Sequence, residues 1–304
     1  MVNMKKIIST LSVFLFTTTI TFAQTVQPIV NNDTPNLKTL LVKPSETDTS
    51  IKAANTPHLI RYKTTNKSNK ILLFMVGTNG IASKTIKNAF LATALEQGYR
   101  VISLSYITTP AGAVACAGKN RIDDPDCIEK FRIKRIYGEN LTPLFPDEPQ
   151  DAIINRFTKL LLYLEKNDKA GNWGQYLQNG SINWKKIAVA GQSQGGGMGA
   201  YIAKQHLVAK VIYFSGGWDV EAKGKIAKWY YKDSVTPPNR WYATYHVEEP
   251  MAHIIAQSCN AMKIPKAHTF ALNLPINGKS KAHGQGVANK LYKPIWIQML
   301  GRGD

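Results

Sequence analysis

In this 304-residue chain, the pentapeptide Gly191-Gln192-Ser193-Gln194-Gly195 has the residue types and spacing of an activated nucleophile. It matches G-x-S-x-G, with the apolar residues 187–190 before it and the small residues Gly196, Gly197, Gly199 and Ala200 after it. A strand that turns sharply into a helix here holds serine in a strained backbone conformation, at about 1–3 kcal/mol. The flanking positions then have no room for side chains. In return a hydroxyl stands at the head of a helix, where free N–H groups and the helix dipole favour developing negative charge.

A serine hydroxyl attacks only when a base takes its proton and an acid orients that base. In a strand-turn-helix site of this kind the chain order is serine, acid, histidine. Of the six histidines, His246, His268 and His283 follow the turn and lie outside predicted helix interiors. His283 stands in Lys281-Ala282-His283-Gly284-Gln285-Gly286, after the last predicted strand and at the carboxyl end of the sheet, where a base is expected. His268 opens that strand at its opposite end, and His246 closes the preceding one beside the site. For the acid, strand 241–245 runs into His246-Val247-Glu248-Glu249-Pro250. Glu249 is the expected partner, with Glu248 and Asp219 as alternatives. The oxyanion needs two backbone donors. One is expected from Gln194, the other from Thr78 or Asn79 in the loop Gly77-Thr78-Asn79-Gly80.

The elements that must carry these residues alternate. Residues 71–76 are a continuous apolar run, the mark of a strand buried on both faces. A helical pattern over 84–97 stops at Gly98, and 99–104 is a second strand. Residues 107–148 read as irregular. Helix 151–166, strand 187–190, helix 195–208, strand 209–214, strand 241–245, helix 251–262, strand 269–274 and a closing helix at 285–299 follow. This predicts an α/β fold, a doubly wound and mostly parallel sheet with helices on both faces.

Composition sets the outer limits. With 44% hydrophobic and 19% charged residues the chain can bury one large core, which excludes collagen-like, coiled-coil and wholly disordered classes. Its formal charge is +18, spread without a block of five like charges. Residues 1–23 read as a signal peptide, with Lys5 and Lys6, an apolar run and Ala23 before the cleavage point. Residues 24–56 are expected to be a flexible leader with room for one short strand at 37–42, and 57–304 a single domain. No later segment has 18 consecutive apolar residues, so no integral membrane span is expected. The expected location is secreted or periplasmic.

Export changes the reading of the three cysteines. Cys116 and Cys127 share one insertion and are expected to form a disulfide, whereas Cys259 falls in a helical segment as a buried thiol. Without a CxxC pair a structural zinc site is not expected. Asp123-Asp124-Pro125-Asp126 lacks the glycine and distal glutamate of a calcium loop. The aromatic residues Trp218, Trp229, Tyr230, Tyr231, Trp241 and Tyr242 either wall a substrate pocket or belong to the core.

Taken together, Ser193, the stretch Gly98-Tyr99-Arg100-Val101-Ile102-Ser103-Leu104-Ser105-Tyr106, the Cys116…Cys127 insertion and Asn155-Arg156 with Leu160-Leu161-Leu162-Tyr163-Leu164 resemble an α/β-hydrolase. More narrowly they resemble exported bacterial serine hydrolases with a cysteine-pair insertion. The resemblance covers nearly all of the chain from about residue 58. It implies Ser193 as nucleophile, His283 as base and the carboxylate three residues after His246 as acid; here that is Glu249 where Asp is usual. The expected activity is hydrolysis of a small-molecule or polymeric carboxylic ester through an acyl-enzyme, without metal or organic cofactor, by a monomer or small homo-oligomer that binds no nucleic acid. A peptidase or acyltransferase with the same triad is the nearest alternative. A non-catalytic basic protein that binds anionic polymers on a hydrolase fold is the other.

Overall fold

The computed structural model describes residues 36–65, 69–222 and 224–303; the expected signal peptide at 1–23 lies outside them. An eight-stranded sheet forms the centre. Its strands are β1 (Leu37–Val42), β2 (His58–Lys63), β3 (Ile71–Met75), β4 (Arg100–Ser103), β5 (Ile187–Gln192), β6 (Lys210–Phe214), β7 (Trp241–His246) and β8 (Thr269–Leu272). They lie in the order β1-β2-β4-β3-β5-β6-β7-β8. Only β2 runs against the rest, pairing antiparallel with both β1 and β4.

The principal helices are α1 (Ala89–Glu96), α2 (Cys127–Tyr137), α3 (Ile153–Asn167), α4 (Gln194–Gln205), α5 (Ala252–Ala261) and α6 (Lys293–Leu300). Side chains alternate across a strand, so neighbours on β3 face opposite layers. Phe74 meets Phe90 of α1, which also packs on Trp296 of α6. Met75 instead reaches Gly199 of α4 on the other face. Strands covered on both sides must be apolar throughout, and every residue of β3 is buried.

Several elements depart from expectation for identifiable reasons. The strand expected at 37–42 is present, but as the edge of the main sheet rather than within a loose leader, and Leu40, Val42 and Ile51 are buried there. Strand β2 carries Arg61 and Lys63, which hide its pattern; Arg61 is nevertheless buried and donates to the Ile86 carbonyl. The stretch 107–148 is not irregular: it holds α2 and the short helices Gly112–Ala115 and Lys119–Asp123. Helix α2 reads as polar because Arg132, Lys134 and Arg135 are buried by pairing rather than exposed. Helix 84–97 divides into a 3-10 segment Ala82–Lys87 and α1, which Asn88 caps by accepting from the Leu91 N–H. The closing helix likewise breaks at Asn289, and α6 restarts with a proline in its first turn. A disulfide joins Cys116 to Cys127, and Cys259 is a buried free thiol. Among the described residues no helix is long and apolar enough to cross a membrane.

Candidate active site

Strand β5 ends at Gln192, and α4 begins at Gln194, so Ser193 alone makes the turn. Its φ of 57° lies in the left-handed region that a side chain rarely adopts. Two contacts hold it there: its N–H donates to the Phe214 carbonyl at 2.8 Å, and its carbonyl accepts from the Gly197 N–H at 3.2 Å. The turn is possible only because its neighbours lack side chains. A Cβ on Gly195 would lie 2.1 Å from the Met75 carbonyl oxygen, and one on Gly191 2.3 Å from the Gly195 backbone.

Ser193 opens onto a cavity of about 510 Å³ that His283 also lines. Gly77, Thr78, Gln192 and Gln194 form one part of its wall, and Ala111, Gly112, Ala113 and Val114 form another. Arg132, Trp218 and Asp219 complete it. His283 is brought up by the segment after β8, where its carbonyl accepts from the Gln192 side-chain amide at 3.2 Å. The Trp218 ring meets its imidazole edge to face, with centroids 4.9 Å apart.

Glu249 reaches the same histidine from the end of β7. Its Oε2 lies 2.7 Å from His283 Nδ1, and its carboxylate is buried. Beside a carboxylate the Nδ1 position carries the proton, which leaves Nε2 as the acceptor of a neutral imidazole. Oε1 accepts from the His246 N–H at 2.8 Å and from the Ser215 hydroxyl at 2.7 Å. A tight turn closed by Glu249 N–H onto the His246 carbonyl aims the side chain inward.

The other candidates are placed elsewhere. Glu248 is exposed and donates its N–H to His246 Nδ1. Asp219 lies at the cavity but is occupied by Arg132, whose Nε and Nη2 bind its two oxygens at 2.9 and 2.7 Å; Trp229 Nε1 donates to it as well. His246 is buried with Nε2 at 3.0 Å from the Leu274 carbonyl, and His268 stacks on Tyr242. Of the two loop candidates for the second oxyanion donor, Thr78 lines the cavity. Asn79 takes the positive-φ position of the turn and faces a separate cavity of about 390 Å³. Of the six aromatic residues only Trp218 lines the site; Trp229, Tyr230 and Trp241 are buried in the core and Tyr231 is exposed.

Sequence reading passed over Arg132 and Ser215 at this site. Neither belongs to a motif: Arg132 meets Asp219 across 87 residues and Ser215 meets Glu249 across 34. The one signal was the segment Ser215-Gly216-Gly217-Trp218-Asp219 after an apolar strand, a second glycine-bearing turn at the carboxyl edge of the sheet.

No protein-family model matches the chain, and no curated protein does. Among solved structures it is similar to a bacterial heroin esterase at 14% identity and TM-score 0.49, over 88% of this chain and 85% of that one. It is also similar to an S-formylglutathione hydrolase from Staphylococcus aureus, at 11% identity and TM-score 0.48 over 87% and 97%. An esterase from Pyrobaculum calidifontis is similar at 12% identity and TM-score 0.47 over 91% and 86%. The strand order, the single reversed strand β2 and the serine turn between β5 and α4 give this chain the α/β-hydrolase fold.

Proposed function

We propose that this chain is an exported serine hydrolase that cleaves carboxylic esters through Ser193, His283 and Glu249. The observation that carries the reading is the 2.7 Å contact between Glu249 Oε2 and His283 Nδ1, beside a cavity that the strained Ser193 also lines.

In this mechanism Ser193 Oγ attacks the ester carbonyl while His283 Nε2 takes its proton. Glu249 stabilises the imidazolium that forms and remains ionised itself. The developing oxyanion is met by the N–H groups of Gln194 and Thr78, backbone donors that act without reorganisation. His283 then delivers the proton to the departing alkoxide, leaving an acyl-serine. A water molecule, deprotonated by the same imidazole, releases the acid. One side of the cavity wall supports an apolar substrate group: Ala111, Gly112, Ala113, Val114 and Trp218 line it, and the Arg132–Asp219 ion pair is internally neutralised. Export is supported by the Lys5–Ala23 pattern and by the Cys116–Cys127 disulfide, which suits an oxidising compartment.

The test is direct. Purified protein should hydrolyse p-nitrophenyl acetate and be labelled covalently by a fluorophosphonate, and Ser193→Ala should abolish both. Folded wild-type protein that takes no label overturns the reading. Salt-sensitive retention on heparin without hydrolysis would then favour the basic binding module.

A further inference from the structure

Ser215 is a buried residue with a positive φ of 46°, immediately after β6. A non-glycine residue is held there only when its surroundings over-determine the conformation. Its N–H donates to the Thr244 carbonyl on β7 at 2.8 Å, and this bond fixes the backbone. With the backbone fixed, the hydroxyl lies 2.7 Å from Glu249 Oε1, the oxygen that does not face His283. The same short turn, two glycines later, sends Trp218 against the His283 ring and Asp219 to Arg132.

We propose that Ser215 is a positioning residue for the acid–base pair: its hydroxyl holds the Glu249 carboxylate in register and moderates the negative charge felt by His283. This rests on the Ser193–His283–Glu249 reading above. A glutamate has one more rotatable bond than an aspartate, so a carboxylate at the end of this longer arm needs a second anchor to keep Oε2 on the imidazole. The His246 N–H supplies one donor to Oε1, and Ser215 supplies the other. Donors to an anion are the stronger hydrogen bonds, and each draws charge away from the oxygen facing the histidine. With the His246 N–H still anchoring Oε1, removing the Ser215 donor should leave more negative charge on Oε2 and raise the proton affinity of His283. Of the other charged groups, Arg132 and Asp219 line the same cavity as His283 and bind each other, Glu248 is the exposed neighbour of Glu249 and Lys281 is exposed two residues before His283, whereas the Ser215 hydroxyl bonds Glu249.

The experiment is an NMR titration of the His283 imidazole in wild type, Ser215→Ala and Ser215→Gly. Both variants lack the hydroxyl, whereas only glycine relieves the positive φ. The expected result is the same upward shift of His283 in both, by a few tenths of a pH unit. The acid limb of the kcat/KM profile should move by the same amount, with a loss of roughly tenfold at its plateau. Ser215→Gly should melt at the higher temperature of the two. An unshifted imidazole in both variants overturns the inference, as does a shift in Ser215→Ala that glycine restores to wild type. The titration needs no turnover. A wild type that fails to take the fluorophosphonate label therefore condemns the hydrolase reading, while the imidazole shift still decides the Ser215 inference.

Discussion

Glu249 uses both of its oxygens, one on His283 and one on donors from β7 and from the turn after β6. An amide in that place cannot match both sets: turned one way its NH2 opposes the His283 Nδ1 proton, turned the other it opposes the His246 N–H. Glu249→Gln should therefore lower kcat by on the order of 10³–10⁴-fold, the scale on which a histidine in the wrong tautomer costs turnover. Glu248→Gln, on an exposed side chain, should stay within about twofold. Steady-state kinetics on p-nitrophenyl acetate separates the two, and the reverse ranking would transfer the role to Glu248. At this scale the serine was the most legible residue, because its turn needs a particular pattern of glycines. Of the two adjacent glutamates the sequence favoured Glu249, before Pro250, but their difference in burial, Glu249 inside and Glu248 exposed, follows from the 246–249 turn and was not legible. Asp219 looked available only because its partner Arg132 lies 87 residues away.

At the scale of elements, α2 and α4 meet where Gly197 passes the Arg132 guanidinium. A Cβ on Gly197 would lie 2.4 Å from Nη2, which Asp219 holds in place while Nη1 donates to the Gln194 carbonyl. Gly197→Ala would gain about 1 kcal/mol of intrinsic helix propensity. The expected net effect is nonetheless destabilisation of about 1–3 kcal/mol, because the guanidinium must leave two partners to make room. Urea denaturation with the midpoint compared to wild type checks this, and a stabilised variant would show the pair to be loosely held. The Cys116–Cys127 disulfide ties the cavity wall at 111–114 to the first turn of α2. Replacing both cysteines by alanine should cost about 2–3 kcal/mol in the same measurement, the loop-closure entropy of a short ring. Helix α2 was illegible because hydropathy assumes that arginine and lysine face water. Here three of them are buried with Asp219, Asp147 and the Thr142 carbonyl as partners. The apolar parallel strands were legible for the opposite reason: burial on both faces leaves little choice of residue.

At the scale of the molecule, the stretch before β2 is held down by long-range contacts. Arg156 of α3 donates to the Ala53 and Ala54 carbonyls as well as to Asp151. His58, at the start of β2, is fully buried and accepts the Ser105 N–H at 2.9 Å on Nδ1. Burial, with the nearby Arg156 charge, lowers its pKa to about 3. The unfolded chain takes up that proton from about pH 6.5 downward, whereas the folded chain does not, so protonation favours unfolding. Stability should fall by a one-proton slope as pH drops from about 6.5 towards 3. Urea midpoints across that range measure it, and His58→Gln should flatten the slope. The strand at 37–42 was readable in advance, but its pairing with β2 and the burial of His58 were not, since β2 owes its place to pairing rather than pattern.

Strand β1 is hydrogen-bonded to β2 over the full register from Leu37↔Lys63 to Val42↔His58. Strand β1 is the end of the sheet, so a cut that frees it would not create an open edge but move it: the amides and carbonyls of β2 that now pair with β1 would become the template on which a second molecule could add its own strand. The contacts that hold the first strand down therefore decide which ribbon, Leu37–Val42 or His58–Lys63, the sheet turns toward other molecules.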